Sequence, residues 1–318
     1  MTVDLAVIVL NYRTFDLTAD CLASMEREIE AGIRVVIVDN DSGDGSAERL
    51  ERLVRERGWS GWATVLPSPV NGGFAAGNNH GVRSIDAAAY LLLNSDTLVR
   101  PGAFRSLREA MRLNPRAGII GSGLLDEEGK SCPSSFRLIA PLSELVRAAN
   151  TGPVTRILQR FDPALPPTDQ PFEPGWLGFA SVLVRREVFQ TVGLLDDGYF
   201  MYFEDVDFCR RAREAGWRLL YWPQAKVVHL LGRTSQVTPG AALRRRAPRY
   251  YYEARARYFA KFYGRPMLWL TNCLWYVGRL VSLPRELCGR DSAHREGEAI
   301  DIWINALDPL RARSEPRS

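Results

Sequence analysis

Three acidic side chains that lie close together in the sequence could carry proton-transfer chemistry. Glu204, Asp205 and Asp207 follow an aromatic stretch and precede apolar residues at helical spacing, with Gly216 as the expected helix end. In the first turn of a helix, the exposed N–H groups and the helix dipole favour the ionised carboxylate. Such a carboxylate can accept a proton near neutral pH, although most acids at this position only cap the helix.

Three short apolar runs earlier in the chain each end in polar residues. The runs at 5–10, 35–38 and 90–93 are followed by Asn11 and Tyr12, by Asp39, and by Asn94 and Asp96. Continuous apolar runs of this length are typical of buried strands in a parallel sheet, and amphipathic segments at 16–29 and 46–57 supply the crossover helices. Because ligands bind at the carboxyl edge of such sheets, the pattern predicts an α/β fold with a binding site there.

A glycine-rich and amide-rich segment at 71–79 contains Asn71, Phe74 and Asn78. Small residues let a backbone approach a ligand closely, and side-chain amides nearby can reach it. The segment has neither the Gly-x-Gly-x-x-Gly nor the Gly-x-x-x-x-Gly-Lys-Ser/Thr spacing, which argues against a dinucleotide-binding fold and a P-loop. By itself it is also compatible with a simple turn.

Five motifs occur in the order expected for one enzyme family. They are VIVLNY at 7–12, VDNDSGDGS at 38–46, NGGFAAGNN at 71–79, LLLNSD at 91–96 and FMYFEDVD at 200–207. Together they resemble the family 2 glycosyltransferases of GT-A fold, and most of all their bacterial rhamnosyltransferase-like branch. The resemblance covers about residues 3–235. It implies a GT-A, Rossmann-like mixed sheet flanked by helices, with a C-terminal helical appendage.

The resemblance also predicts how the chain is divided. A catalytic domain is expected over 1–238, with a nucleotide-binding half at about 1–125 and an acceptor-side half at about 126–238. A basic and aromatic helical region follows at 239–318. Within the acceptor-side half, the proline-rich segment 151–174 is expected to be a loop or lid beside the active site.

The motifs assign donor-binding residues by similarity. Asp39 is expected to accept the imide N–H of a pyrimidine base, beside Asn11 and Tyr12, which bond to and stack on the ring. The alternative is that residues 39–41 form an Asx-type turn that caps the next helix, and both descriptions can hold together. The full expected donor-binding set is Asn11, Tyr12, Asp39, Asn71, Phe74, Asn78, Asn94 and Arg233.

The Asn-Ser-Asp sequence at 94–96 occupies the place of the family's Asp-x-Asp metal motif. By similarity, Asp96 binds Mg²⁺ or Mn²⁺ against the donor diphosphate, since hard cations prefer oxygen ligands. Asn94 replaces the first acid, which leaves the number of protein ligands open. His229 matches a family histidine that can complete the site, although a histidine among valines and leucines can equally be a core residue.

The mechanism implied by the resemblance is an inverting, direct displacement. Asp205 is expected to take the proton from the acceptor hydroxyl, and Glu204 is the alternative base or a group that positions sugar hydroxyls. Trp176 and Gly178 precede another apolar run and could form a platform under the acceptor sugar, or belong to the core.

Composition is compatible with an intracellular enzyme. The chain has 318 residues with 41 basic and 37 acidic groups, and its five cysteines are scattered and odd in number, which is typical of free thiols in a reducing cytosol. Asp4 interrupts the N-terminal apolar stretch, so we expect no signal peptide. The sequence makes no prediction of oligomeric state.

The C-terminal region differs in charge from the rest. Residues 244–265 carry eight basic groups and one acid, a charge of +7 in a chain whose total is +4. Basic aromatic segments bind nucleic acid or membrane surfaces. The apolar segment that follows at 267–283 contains Asn272 and Arg279, and favours an interfacial helix with a basic collar facing anionic lipid, and no nucleic acid. An amphipathic helix packed on the protein and a membrane span are the alternatives.

The sequence therefore predicts a glycosyltransferase at the inner, cytoplasmic face of the cell membrane. The expected donor is dTDP-rhamnose, followed by UDP-sugars, and the expected acceptor is a lipid-linked or surface glycan such as a polyprenyl-diphosphate sugar. A sugar nucleotidyltransferase should carry a glycine-rich basic loop after the first strand, where this chain has Asn-Tyr-Arg-Thr at 11–14. A non-catalytic nucleotide-sugar-binding protein should lack the acids Asp39, Asp96, Glu204 and Asp205.

Overall fold

Strands and helices alternate along the first part of the chain, as the apolar runs predict. The structure is a computed structural model that describes residues 3–230, 245–288 and 294–311. The first elements are β1 (Val3–Asn11), α1 (Phe15–Met25), β2 (Ile33–Asp39), α2 (Ser46–Glu56), β3 (Ala63–Pro67), α3 (Gly73–Ser84) and β4 (Ala87–Asn94). The predicted strands and crossover helices are therefore confirmed, each within a few residues of its expected ends.

Shorter strands and further helices follow. They are β5 (Thr97–Val99), α4 (Ala103–Leu113), β6 (Ala117–Leu125), β7 (Ser131–Cys132), β8 (Ser135–Phe136), α5 (Pro141–Ala149), α6 (Gly152–Ile157), β9 (Trp176–Leu177), β10 (Ser181–Arg185), α7 (Arg186–Val192), α8 (Glu204–Glu214), β11 (Arg218–His229), α9 (Arg249–Tyr263), α10 (Arg265–Leu287) and α11 (Glu298–Asp301). The proline-rich segment 151–174 is mostly irregular, with one short helix, α6, and a 3₁₀ turn.

The main sheet is mixed, as the resemblance implies. Across the described residues its order is β3-β2-β1-β4-β10-β6-β11-β5, and β7 pairs with β6. The first four strands are parallel, whereas β10 runs antiparallel to both β4 and β6. In the register, Asn11 lies opposite Asp39, and Leu10 opposite Asn94. The polar ends of β1, β2 and β4 therefore meet at one edge of the sheet.

The sheet is buried on both faces. Alternate residues of β1 belong to two different apolar clusters, with Leu5, Val7 and Val9 on one face and Ala6 and Ile8 on the other. Burial on both sides explains why the strand sequences are continuously apolar rather than alternating.

Two glycines of α3 allow this helix to lie close to the sheet. A Cβ atom at Gly77 would lie 2.4 Å from Leu10 Cδ1, and one at Gly81 would lie 2.5 Å from Ile8 Cγ2. Part of the glycine content of segment 71–79 therefore serves helix packing, because a larger side chain would push α3 away from β1.

The chain forms two compact units. Among the described residues the first comprises 3–136, 165–197 and 205–230, and it contains the sheet. The second comprises 137–164, 198–204, 245–288 and 294–311, and is built from α5, α6, α9, α10 and α11. The functional division predicted at residue 238 stays a prediction, and the second unit takes in segments that precede it.

Several arginines of the basic segment are paired inside the second unit. Arg246 bonds to Asp301 over 2.7 Å and Arg249 to Glu253 over 2.8 Å. A count of charges over 244–265 therefore overstates the net positive charge there, because Asp301, the partner of Arg246, lies 55 residues further along the chain. No helix in the three described stretches is long and apolar enough to cross a membrane.

Arg255 lies deepest of these arginines. It is fully buried and contacts Glu144 over 3.0 Å and Asn272 Oδ1 over 2.7 Å. Burial opposes ionisation of Glu144, but the charges of Arg147 and Arg255 outweigh it and lower the pKa of this carboxyl to about 2. These contacts join α5, α9 and α10 in one polar core.

Candidate active site

The side chains at the ends of β1 and β2 form one buried hydrogen-bond network. Asn11 Nδ2 donates to Asp39 Oδ1 over 2.6 Å and to Ser42 Oγ over 3.1 Å. The Oδ1 atom of Asn11 accepts from Thr14 and Thr18, so its amide is bonded on both sides. Asp39 is buried, and the network fixes its carboxylate at the carboxyl edge of the sheet.

Ser42 belongs to the same network, although the sequence analysis did not single it out. Its Oγ donates to Asp39 Oδ1 over 2.6 Å and accepts from the backbone N–H of Arg13 over 2.9 Å. Arg13 also donates from Nε to the Ser42 carbonyl over 2.9 Å, and its backbone φ is 56°, which is uncommon for this residue type. The available signal was a serine three residues after an aspartate, a spacing that permits local side-chain bonding.

The side chain of Asp39 bonds to the backbone three residues on, and not to the start of the next helix as the alternative for 39–41 predicted. The backbone N–H of Ser42 donates to Asp39 Oδ2 over 3.1 Å. The N–H of Ser46, at the start of α2, bonds instead to Asp44 Oδ1 over 3.0 Å. A carboxylate oxygen can accept two hydrogen bonds, so within the described structure Asp39 Oδ2 keeps one acceptor position.

The end of β4 lies beside this network. Thr14 Oγ1 is 3.3 Å from Ser95 Oγ, which connects the turn after β1 with the turn after β4. The next residue, Asp96, is 1% exposed, and its Oδ1 lies 3.3 Å from His229 Nε2 at the end of β11. The structure thus brings Asn11, Asp39, Asp96 and His229 to the same edge of the first unit.

These residues fit a divalent cation that is shared with a ligand. Asp96 offers a buried carboxylate, His229 a nearby imidazole nitrogen, and Asn94 a buried Oδ1 atom without a hydrogen-bond partner in the described part of the chain. The described residues include no group of three or more His, Cys, Asp or Glu side chains that could hold a metal by themselves. A cation here would therefore need oxygen atoms from a bound diphosphate.

The amides of segment 71–79 hold the local backbone. Asn71 Oδ1 accepts from Asn40 Nδ2 over 2.9 Å and from the backbone N–H of Gly73 over 3.0 Å. Asn78 Nδ2 donates to the carbonyl of Phe74 over 2.9 Å. These bonds order the loop between β3 and α3, and donor contact by Asn71, Phe74 and Asn78 stays a prediction.

Asp205 lies in the first turn of α8, as predicted. Helix α8 is anchored by Phe208, whose ring centroid lies 6.0 Å from that of Phe179. The residue after Phe179 is Ala180, and its carbonyl accepts a hydrogen bond from the Asn94 N–H over 2.9 Å. The helix that carries Asp205 is therefore packed on the strand that adjoins the end of β4.

The protonation expected for Asp205 requires a correction. Desolvation by burial raises the pKa of Asp205 to about 7, although the backbone N–H of Val206 donates to its Oδ1 over 2.8 Å and favours the ionised form. The sequence predicted that the helix start would keep this carboxylate ionised, but desolvation outweighs that effect. Near pH 7 the group is therefore present in both protonation states, as suits a general base.

Asp207 has a structural role. It is fully buried and accepts from Arg211 Nε over 2.6 Å. Arg211 also donates to the carbonyls of Val192 and Leu194, which ties α8 to the end of α7. Glu204, the alternative base, is buried at the first position of α8 and belongs to the second unit.

The residues predicted to contact the acceptor lie beside the small pair of strands β8 and β9. The ring of Trp176 stacks on Phe136 with centroids 4.3 Å apart, so one face of the ring is covered by protein. The N–H of Gly178 donates to the carbonyl of Ser134 over 3.0 Å. Their contact with an acceptor stays a prediction. Arg233, the remaining donor-binding candidate, lies outside the described residues.

Solved structures of glycosyltransferases share this fold. The mannosyltransferase PcManGT from Pyrobaculum calidifontis, in complex with GDP-Man and Mn²⁺, superposes with a TM-score of 0.58 at 12% identity, over 92% of this chain and 78% of that chain. GalNAc-T7 with UDP, GalNAc and Mn²⁺ has a TM-score of 0.57 at 15% identity, over 95% and 57% of the two chains. The fold is therefore the GT-A glycosyltransferase fold.

Sequence similarity defines the family. The profile of Glycosyl transferase family 2 matches residues 6–131. An N-acetylglucosaminyl-diphospho-decaprenol L-rhamnosyltransferase from Mycobacterium tuberculosis H37Rv is 30% identical over 252 residues, which cover 72% of this chain and 76% of the relative. Rhamnosyltransferase WbbL of Escherichia coli K12 is 44% identical over 54 residues, 17% of this chain and 20% of the relative. The chain belongs to glycosyl transferase family 2 and is a glycosyltransferase.

Proposed function

We propose that this enzyme transfers L-rhamnose from dTDP-rhamnose to a hydroxyl of a sugar carried on a polyprenyl diphosphate, with inversion at the anomeric carbon. The main support is that Asp39 and Asp96 lie at one sheet edge of a chain 30% identical to a rhamnosyltransferase named for such an acceptor. UDP-sugars are the second class of donor. Family membership favours this function over a sugar nucleotidyltransferase or a non-catalytic binding protein.

The base of the donor is recognised at the ends of β1 and β2. The free acceptor position on Asp39 Oδ2 takes the imide N–H of a pyrimidine, while Tyr12, which is exposed, stacks on the ring. The buried contacts of Asn11 and Ser42 to Oδ1 hold the carboxylate in the orientation that this hydrogen bond requires. Asn71, Phe74 and Asn78 line the ribose side.

The diphosphate of the donor lies toward Asp96. When bound, a Mg²⁺ or Mn²⁺ ion held by Asp96 and His229 supplies positive charge next to the departing nucleoside diphosphate. Asn94 Oδ1, which is buried and has no hydrogen-bond partner in the described part of the chain, supplies a further oxygen atom. Arg233 contributes a cation to the phosphate oxygens.

The chemical step is a single displacement. The acceptor oxygen forms a bond to the anomeric carbon, and the bond from that carbon to the phosphate oxygen breaks, with its electron pair leaving on the nucleoside diphosphate. The acceptor proton moves to the Asp205 carboxylate, whose raised pKa makes it a stronger base than an ordinary aspartate. Glu204 orients sugar hydroxyls, and Trp176 with Gly178 supports the acceptor.

The polyprenyl carrier places the reaction at the inner face of the cell membrane. A peripheral enzyme that approaches from the cytoplasm would meet the acceptor sugar at the headgroup level. The name of the Mycobacterium tuberculosis relative, which includes a diphospho-decaprenol, supports this site of action.

A panel of nucleotide sugars tests the proposal. The enzyme is incubated with Mn²⁺, a short-chain polyprenyl-diphosphate N-acetylglucosamine and each donor in turn, and release of nucleoside diphosphate is measured with and without acceptor. We expect acceptor-dependent release of dTDP from dTDP-rhamnose. Acceptor-dependent release of UDP from a UDP-sugar, with no release of dTDP from dTDP-rhamnose, would identify the UDP-sugar as the donor. Absence of release from every donor would contradict the function. Formation of a nucleotide sugar in a separate incubation with a sugar phosphate and a nucleoside triphosphate would also contradict it.

A further inference from the structure

Helix α10 has one face that is exposed and free of charge. Between positions 269 and 287 every exposed residue is uncharged. These residues are Trp269, Leu270, Cys273, Tyr276, Val277, Leu280, Val281, Leu283, Pro284 and Leu287. At 3.6 residues per turn they fall within roughly 160° of the helix circumference and extend along roughly 27 Å of its length. We call this set the α10 outer face, in which Leu280 is 67% exposed and Leu287 is 87% exposed.

The charged residues of the same stretch are turned toward the protein. Arg279 Nη1 contacts Glu286 Oε1 over 2.5 Å, and both side chains are largely buried. Arg285 donates to the carbonyl of Asn150. The outer face is therefore apolar because its ionic groups have partners within the second unit, not because the helix lacks them.

The orientation of α10 is fixed by its inner face. A Cβ atom at Gly278 would lie 2.6 Å from the carbonyl oxygen of Leu145, so α10 and α5 cross at close range. Asn272 accepts from the buried Arg255, and Trp275 packs in an apolar cluster with Ala148. The helix cannot rotate its outer face inward without breaking these contacts.

The aromatic rings of the outer face have their polar ends satisfied. Trp269 Nε1 donates to the carbonyl of Ala306 over 3.0 Å, and the Tyr276 hydroxyl donates to the carbonyl of Ala299 over 2.6 Å. These bonds bring the segment around α11 against α10, and its exposed Ile300 extends the apolar surface. The exposed parts of the Trp269 and Tyr276 rings are therefore their carbon atoms.

From this surface we infer that the α10 outer face is the part of the protein that enters the lipid bilayer surface. A contiguous apolar strip of this size is unusual on a monomeric protein and marks an interaction site. A protein partner would normally meet a polar rim with hydrogen bonds, whereas this strip presents none over five turns of helix. The hydrocarbon below the lipid headgroups requires no polar rim and no hydrogen bonds. A helix that lies in the plane of the bilayer surface buries an apolar face of this kind.

The inference rests on the proposed function in one respect, since an acceptor on a polyprenyl carrier gives the enzyme a reason to bind the bilayer. It adds the contacting residues and the driving force. Because Arg255 is buried against Glu144, and the exposed Arg246 and Arg249 are paired with Asp301 and Glu253, we expect attachment to depend on apolar burial more than on attraction to anionic lipid. Binding should therefore persist on neutral vesicles and in high salt.

Vesicle binding of the full chain tests this inference. Sedimentation is measured with phosphatidylcholine vesicles, with and without phosphatidylglycerol, in low and high salt. We expect the parent protein to bind both kinds of vesicle. Val277→Asp combined with Leu280→Asp should lower the partition coefficient at least about tenfold, because two charges would enter the apolar layer.

A matched pair of substitutions controls for added charge. Leu113→Asp combined with Ile157→Asp introduces the same two aspartates at positions that are 53% and 81% exposed on other helices. Circular dichroism checks that both variants are folded. An equal loss of vesicle binding in the outer-face variant and in this control variant would overturn the inference. Absence of vesicle binding by the parent protein would also overturn it. A parent that dimerises through this face without binding vesicles would identify a second copy as the occupant.

A fluorescent label supplies a second measurement that does not depend on affinity. Cys273 on the outer face and Cys288 are exposed, whereas Cys21, Cys132 and Cys209 are buried. With Cys288→Ser, an environment-sensitive dye on Cys273 should shift to shorter wavelength when vesicles are added. The same dye at Ile157→Cys, with both exposed cysteines replaced by serine, should not. Neither readout requires turnover, so failure of the glycosyltransferase assay and failure of vesicle binding are distinguishable.

Discussion

Asn11 Nδ2 donates to Asp39 Oδ1 over 2.6 Å, and this bond joins the carboxyl ends of two neighbouring parallel strands. Ser42 donates to the same oxygen atom and, through its backbone N–H, to the other. Both oxygens of Asp39 therefore act as acceptors before any ligand is bound. This arrangement is well suited to recognising an N–H group, because the orientation of the carboxylate is fixed in advance.

Asp39→Asn should weaken both folding and donor binding. An amide has only one acceptor oxygen, so its NH₂ group would face either the Asn11 amide or the Ser42 N–H. We expect the free energy of unfolding to fall by about 1–3 kcal/mol, and the Kd for dTDP to rise at least about tenfold. Urea unfolding and calorimetric titration measure the two effects. Asp41→Asn is the control, since Asp41 is exposed and asparagine tolerates its positive φ. Equal dTDP affinity in the two variants would argue against base recognition by Asp39.

Removal of divalent cations should abolish transfer, and Asp96→Asn should raise the Mn²⁺ concentration needed for half-maximal rate by at least about tenfold, because a neutral amide binds a cation more weakly than a carboxylate. His229→Ala should have a smaller effect in the same direction. Rates measured across a Mn²⁺ titration after chelation give both values. The control is Asp20→Asn, which removes an exposed carboxylate from α1. A rate that survives chelation unchanged would exclude the proposed cation.

The activity should fall as the pH is lowered through about 7. The pKa of Asp205 is raised to about 7, and only the ionised form accepts a proton, so kcat/KM should rise with pH through this value and then level off. A midpoint near the ordinary value of about 4 would show that the pKa of the titrating carboxyl is not raised. The Asp205→Asn variant should lack this rise of kcat/KM with pH.

The sequence was sufficient to predict the strands whose polar ends meet at one edge of the sheet. Runs at 5–10, 35–38 and 90–93 are apolar throughout, because both faces of the sheet are covered, and each ends where its polar residue begins. The direction of β10 was not predictable in the same way. An apolar run such as Ser181–Arg185 fits a parallel or an antiparallel neighbour equally well, and only its partners β4 and β6 define it as antiparallel.

Properties that depend on distant neighbours were also missed or misjudged. The helix start favours ionisation of Asp205, but desolvation by burial in the folded protein outweighs this effect and raises its pKa. Arg255 reads as part of a basic surface, but it is buried against Glu144, 111 residues away. Ser42 lies within a motif already recognised, yet its bonds to Asn11 and to the strained backbone of Arg13 arise only when β1 and β2 pair.

Asp207 should affect stability rather than chemistry. Asp207→Ala leaves the guanidinium of Arg211 without the buried carboxylate that it contacts over 2.6 Å. Breaking a buried ion pair on one side costs about 3–5 kcal/mol, so the free energy of unfolding should fall by a similar amount. The Kd for dTDP should remain within about threefold of the parent value. A stable variant that has lost turnover would instead assign Asp207 to the reaction.

The role of Asp205 is measured most directly by single-turnover transfer with Asp205→Asn, which keeps the size of the side chain and removes its ability to accept a proton. We expect the rate to fall about 10²-fold or more, while the Kd for the donor stays within about threefold of the parent value. As a control, Asp197→Asn, which changes an exposed aspartate eight residues before Asp205, should retain the parent rate. Transfer by Asp205→Asn at close to the parent rate would contradict the proposed mechanism.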